Sequence, residues 1–200
     1  MNLLANLSDD EDTRLWQVLP LGDVASFEKL IARTYDMLFQ YGCKFSRDKE
    51  LIKDSIQDVF LEIWEKRACL NVNIPPKAYL LASLRRRLHR LAQRNRLVAV
   101  DDFELKGVDF RVEFSAEYRF IESEQDQQTT AQMTHLLNEL PKRQKEAVYL
   151  RFFNDLDREE IASVMDIHPQ SVSNLLQTAF KVLKSQWKTV ISIILSIHCA

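Results

Sequence analysis

Residues 155–183, DLDREEIASVMDIHPQSVSNLLQTAFKVL, constrain the fold of this chain more than any other stretch. They read as two short helices joined by a tight turn. Asp157 is placed to cap the first helix, and Glu160 sits where a capping box wants its acid. Ile161, Ala162, Val164 and Met165 give that helix an apolar side. Asp166-Ile167-His168 breaks the pattern. Pro169 then suits the first position of a new helix, where its missing N–H costs nothing. In the second helix Val172, Leu175, Leu176, Ala179 and Leu183 recur at helical spacing and predict the buried stripe. The other side carries Gln170, Ser171, Ser173, Asn174, Gln177 and Lys181, none of them acidic. Amides and hydroxyls on the open side of such a helix suit base edges and phosphates in the major groove. The competing reading is a helical hairpin with a solvated polar face.

The rest of the chain supports an all-α fold. Only 3 of 200 residues are glycine, and apolar residues recur at helical spacing over long runs. A hydrophobic content of 46% is enough for two small cores. The net charge of −2 gives no global nucleic-acid signal, so local clusters decide. Cys43, Cys69 and Cys199 are scattered, with no metal or disulfide spacing, and fit a reducing cytosol. No basic stretch followed by an apolar run opens the sequence, so no signal peptide is expected. No run reaches the ~20 apolar residues of a membrane span.

In order, residues 1–13 are polar, with the acidic run Asp9-Asp10-Glu11-Asp12, and are expected as a disordered or frayed tail. A helix is expected from Leu21-Gly22-Asp23 to about Gly42, with Phe27, Leu30, Ile31, Thr34, Tyr35 and Leu38 on one face. A second, Asp48 to Arg67, has Ile52, Ile56, Val59, Phe60 and Ile63 as its stripe. Asp54, Gln57, Asp58, Leu61 and Glu62 lie on its other faces, which are mostly acidic. They form either a solvated face or a docking surface for a basic partner helix. Asn71, Asn73 and Pro75-Pro76 mark a loop.

A third helix runs from Pro76 to Arg96. Tyr79, Leu80, Leu84, Leu88 and Leu91 form its apolar side, and Lys77, Arg85, Arg86, Arg87, His89, Arg90, Arg94 and Arg96 make the rest cationic. No acid interrupts Lys77 through Val100. Such a helix suits a polyanion bound by counterion release. A membrane-surface helix or plain solvation are the rivals, and the downstream helix-turn-helix favours nucleic acid.

Residues 97–127 turn acidic yet hold Phe103, Phe110, Phe114, Tyr118 and Phe120, too many aromatics for a pure spacer. They are expected as a linker that grips a partner or partly packs, with the domain boundary inside it. A helix from about Thr129 to Leu140 and another from Pro141 to Phe153 lead into the helix-turn-helix. Trp187 to Ala200 is nearly continuously apolar. Three readings stand in order: a helix extension packing back on the domain, a partner interface, or interfacial membrane contact.

These pieces resemble a sigma factor of the extracytoplasmic-function group, in the sigma-70 family of bacterial RNA polymerase. LGDVASFEKLIARTY resembles the family's opening helix. DSIQDVFLEIW resembles its signature helix through Asp54, Ile56, Gln57, Val59, Phe60 and Trp64, with Asp58 as the acid. KAYLLASLRRRL resembles its basic helix, and the stretch from Leu140 to Leu183 its C-terminal helix-turn-helix domain. The sequence departs from the pattern at Arg86 and Arg90, where the family often has Asn and Asp. It departs again at Asp166, in place of the turn glycine, and at His168, in place of a Ser or Thr cap.

The resemblance implies two helical domains, residues 14–96 and 128–186, with an acidic linker at 97–127 and an apolar tail at 187–200. It implies that Asp54, Gln57, Asp58, Leu61 and Glu62 bind core RNA polymerase. Lys77, Tyr79, Arg85, Arg86, Arg87, Arg90 and Arg94 would hold the −10 promoter segment as it opens, with Tyr79 and the loop Cys69–Pro76 pocketing an unstacked base. Stacking and charge can offset the few kcal/mol that each flipped base costs. Gln170, Ser171, Ser173, Asn174, Gln177 and Lys181 would read the −35 element, and the linker would thread the polymerase. The implied partners are core polymerase, promoter DNA and an anti-sigma factor, with a cytoplasmic location. No cofactor, metal or small-molecule substrate is implied. The dispersed His89, His135, His168 and His198 give no catalytic spacing, so the chain is expected not to be an enzyme. The alternative is a helix-turn-helix regulator that acts without core polymerase.

Overall fold

The computed structural model describes residues 3–98, 110 and 133–198, with side chains over 10–94, 110 and 133–185. Among the described residues there are eight α-helices and no strand. They are α1 (Leu3–Val18), α2 (Val24–Gly42), α3 (Lys49–Glu65), α4 (Pro76–Val98), α5 (residues 133–139), α6 (Lys142–Phe152), α7 (Arg158–Met165) and α8 (Pro169–His198). They fall into two compact units divided between Asp109 and Phe110, the first holding α1–α4 and the second α5, α6, α8 and most of α7.

In the first unit, α2, α3 and α4 pack against one another around Leu30, Leu38, Ile52, Ile56, Leu80, Leu81 and Leu84, all fully buried. Each such side chain contributes ~1.5–3 kcal/mol, against ~1 kcal/mol or less for an exposed ion pair. Packing therefore holds the unit, and the charges adjust its surface. Asp48 caps α3, its carboxylate accepting from the N–H groups of Glu50 and Leu51 at 3.1 Å each. Where α2 ends, a Cβ on Gly42 would lie 2.6 Å from a methyl carbon of Ile52, so only glycine lets α3 approach this closely.

Residues 3–13 are not a disordered or frayed tail: the chain is helical from Leu3, and α1 packs on α2. Two features absent from a solvated acidic run account for this. Glu11 pairs with Lys29 at 2.5 Å and Arg33 at 2.8 Å, while the buried Asp12 carboxylate also accepts from Arg33. Trp16 is 0% exposed and anchors the C-terminal end of α1. The hydrogen bond from Lys29, then the charge of Arg33, hold the Glu11 carboxyl below the ordinary carboxylate range. A depressed acid stabilises the folded form above its ordinary pKa, and that contribution is lost as pH falls through the lower folded value. On acidification through and below the ordinary carboxylate range, α1 amides should lose hydrogen-exchange protection before those of α2–α4. Simultaneous loss throughout the unit would contradict an independently docked α1.

In the second unit α6 packs on α8. Ala147, Val148 and Leu150 of α6, with Val172 and Ala179 of α8, are buried. The Lys145 ammonium is buried as well and donates to the Asn138 carbonyl at 3.1 Å, in the last turn of α5. Phe110 is 2% exposed, its ring 5.6 Å from that of Tyr149, so this one residue of the acidic stretch packs against its own unit. The remainder of residues 97–127 beyond α4 lies outside the described residues. The backbone of α8 continues unbroken to His198, a helical extension. The tail side chains from Trp187 on also lie outside the described residues.

Candidate nucleic-acid interface

The helix-turn-helix forms through the caps that its sequence suggested. Asp157 accepts from the Glu160 N–H at 2.8 Å, and Glu160 accepts from the Asp157 N–H at 2.7 Å, a complete capping box. At the other end of α7, Asp166 adopts φ 54°, the left-handed conformation in which the family carries glycine. The Ile167 N–H reaches back to the Ala162 carbonyl at 3.0 Å and closes the helix end. His168 replaces the usual hydroxyl cap: its Nδ1 accepts from the Gln170 N–H at 3.2 Å. An accepting Nδ1 places the ring proton on Nε2. Substituting His168 by Ala should cost ~1 kcal/mol of stability, and Ser should restore most of it. Thermal unfolding checks this; equal losses for both variants would show that the cap bond is idle.

On α8 the residues expected to read DNA do share one side. At 3.6 residues per turn Gln170, Asn174, Gln177 and Lys181 fall within about 60° of one another, opposite the buried Val172 and Ala179, and all four are exposed. The Gln170 amide donates to Asn174 Oδ1 at 3.3 Å, so the two head groups are ordered together. Ser171 is exposed at the edge of the row. Ser173 is half-buried, and its hydroxyl turns back to the Pro169 carbonyl at 3.5 Å.

The cationic residues of α4 do not all face one way. Arg86, Arg90 and Arg94 are exposed along one side, within about 80° of one another, with Arg87 at its edge. Lys77 and Arg85 lie about 100° or more around the helix from the centre of that row, are half-buried and have partners of their own. Tyr79 is on the arginine side, but its ring packs on Trp16 at 5.1 Å. The Trp16 indole N–H donates to the Asn71 carbonyl at 3.4 Å, and Asn71 Oδ1 accepts from the Asn73 N–H at 3.1 Å. The loop before α4 is thereby braced from α1. Nothing in the sequence signalled this bracing role for Trp16, hidden behind an acidic run that read as a tail.

On α3, Asp54, Gln57, Leu61 and Glu62 are exposed, and Leu61 keeps 50% of its surface open amid the acids. Glu62 pairs with Lys66 at 2.6 Å, and this bond depresses its carboxyl, with Arg90 and Arg87 adding smaller charge effects. Asp58 accepts from Arg87 of α4, which joins one residue of the acidic face to one of the cationic row. The second unit also exposes Phe152 and Phe180, in edge contact at 5.7 Å, and Phe153. Nothing in their sequence spacing separated them from core residues.

The family model for Sigma-70 region 2 matches residues 30–98, and that for Sigma-70, region 4 matches residues 130–183. The first match contains most of α2 and all of α3 and α4, the second the helix-turn-helix. The chain belongs to the sigma-70 family, with the two regions in the order that the extracytoplasmic-function resemblance implied. It is a promoter-recognition factor for RNA polymerase. No curated protein matches the chain at a significant level. Among solved structures it is similar to CnrH in complex with the cytosolic domain of CnrY, at 18% identity and TM-score 0.59, covering 90% of this chain and 98% of that one. It is likewise similar to the sigma factor RpoE in complex with the anti-sigma factor NepR from Bartonella quintana, at 20% identity and TM-score 0.59, covering 82% and 98%. At these identities the likeness concerns the fold.

Proposed function

We propose that the chain is an extracytoplasmic-function sigma factor that divides its work among three helices. The acidic face of α3, centred on Asp54 and Leu61 with Gln57, Asp58 and Glu62 around them, docks on a basic helical surface of core polymerase. Leu61 supplies the apolar contact and the acids set the orientation. The Arg86, Arg90 and Arg94 row of α4 tracks the phosphates of the −10 segment as it opens. The loop braced by Trp16 and Tyr79 walls the place where an unstacked base is held. Gln170, Asn174, Gln177 and Lys181 of α8 read the −35 element, with Ser171 and Ser173 at the margins. Lys77 and Arg85 contribute to packing more than to DNA contact.

The observation that carries this reading is the pair of exposed rows, one cationic and one amide-lined, each opposite a buried stripe on a sigma-70 region. The same reading places the protein in the cytoplasm with its polymerase. Among the described residues no helix is long and apolar enough to cross a membrane. It acts as a binding factor, not an enzyme, and an anti-sigma factor is its expected inhibitor.

The test is co-elution with core polymerase on size exclusion. The chain should co-elute, and Leu61→Glu should abolish co-elution while leaving helical content intact. A chain that binds promoter duplex but never joins the core would favour a helix-turn-helix regulator instead.

A further inference from the structure

We propose that Asp58 and Arg87 form an exchange pair that couples polymerase docking to DNA binding. The inference rests on the reading of α3 as the docking helix and α4 as the DNA helix. Asp58 belongs to the acidic docking face, yet its Oδ2 accepts from Arg87 Nη2 on the neighbouring helix. Both side chains are partly open, Arg87 at 29% and Asp58 at 43%, so each is within reach of another partner. The contact uses one arm of the guanidinium, and Arg87 Nε is buried without an acceptor. A two-armed Arg–carboxylate fork is the stronger arrangement. This pair falls short of it and is open to competition from both sides.

A cation from a basic partner helix on α3 competes for Asp58. When the carboxylate turns to it, Arg87 keeps its charge and loses its bonded counter-charge, leaving only the weaker influence of Glu62, which is bonded to Lys66. The nearest surface suited to a polyanion is the row of Arg86, Arg90 and Arg94, and Arg87 stands at the edge of that row. Once released, it adds a fourth guanidinium to it. Without the partner, Asp58 neutralises Arg87, and α4 offers one cation fewer to whatever DNA it meets. Linkage makes the effect reciprocal: the partner tightens DNA binding and DNA tightens partner binding by the same factor. Glu62 and Lys66 lie beside the pair but are bonded to each other, which leaves the exchange to Asp58 and Arg87.

The experiment uses the full chain without polymerase and a labelled single-stranded −10-type oligonucleotide, with affinity measured over a salt series. Asp58→Asn should tighten binding about 3- to 10-fold at low salt and steepen the log–log salt slope by about 0.7, the increment of one single-strand phosphate contact. Asp54→Asn removes the same charge from the same helix without freeing an arginine, and should change affinity less than about twofold. In an Arg87→Gln background Asp58→Asn should have no effect. Asp58→Ser repeats the test should the amide disturb the helix pair, with circular dichroism confirming the fold. An equal gain from Asp54→Asn, or a gain that persists in Arg87→Gln, overturns the exchange. If removing Arg86, Arg90 and Arg94 flattens the slope while Asp58→Asn does nothing, the coupling alone is wrong. If that removal also leaves the slope unchanged, the reading of α4 as the DNA helix falls with it.

Discussion

Asn174→Ala should weaken binding to a promoter duplex carrying the cognate −35 element by roughly 5- to 150-fold, the ~1–3 kcal/mol of discrimination that one good side-chain–base contact supplies. Asn174 lies in the middle of the exposed row on α8 and is oriented before binding by the Gln170 amide, 3.3 Å away. It is neutral and exposed, so its loss should leave non-specific affinity and thermal stability almost unchanged. Competition between cognate and scrambled duplexes, followed by anisotropy, separates the two effects. Equal weakening on both sequences would mean that Asn174 does not read bases. The same comparison at Ser173 should show a much smaller effect, because its hydroxyl is turned to the Pro169 carbonyl.

Removing Arg86, Arg90 and Arg94 together should produce the largest change in salt dependence. Each phosphate contact contributes ~0.9 to the slope of log affinity against log salt on duplex and ~0.7 on single strands. The triple alanine variant should therefore flatten the slope by about two on single-stranded −10 DNA. Binding at low salt should fall much further than binding at high salt. The fold should survive, since none of the three side chains is buried. A parallel series with Lys77 and Arg85 should show little change in slope, because both are half-buried, have other partners and lie off the exposed row. A uniform loss at all salt concentrations would point to a damaged fold rather than to lost phosphate contacts.

The helices were legible wherever a local rule governs them. The capping box of Asp157 and Glu160 and the proline that opens α8 need only neighbours in sequence, and they form as read, whereas of the stripe from Val172 to Leu183 only Val172 and Ala179 are fully buried and Leu175, Leu176 and Leu183 are half-buried. Asp166 in a left-handed turn was legible for the same reason. What was hidden depends on partners far along the chain. Glu11 and Asp12 look like solvated acids until Lys29 and Arg33 of α2 are set beside them. Trp16 looks like a stray aromatic until its indole meets Asn71, 55 residues away. On α4, Arg86, Arg90 and Arg94 share one exposed side. Composition grouped Lys77 and Arg85 with them, although helical rotation puts those two elsewhere. The Asp58–Arg87 pair was out of reach of sequence, because each residue fits its own helix face without the other.

Above all, this chain should give core RNA polymerase a new promoter choice. The most direct measurement is in vitro transcription with purified core enzyme on a fragmented genomic template, mapping every 5′ end with and without the chain. Start sites that appear only with the chain, each preceded by the same two sequence elements at a fixed separation, are the predicted result. A 5′-end map identical to that of core enzyme alone would contradict it.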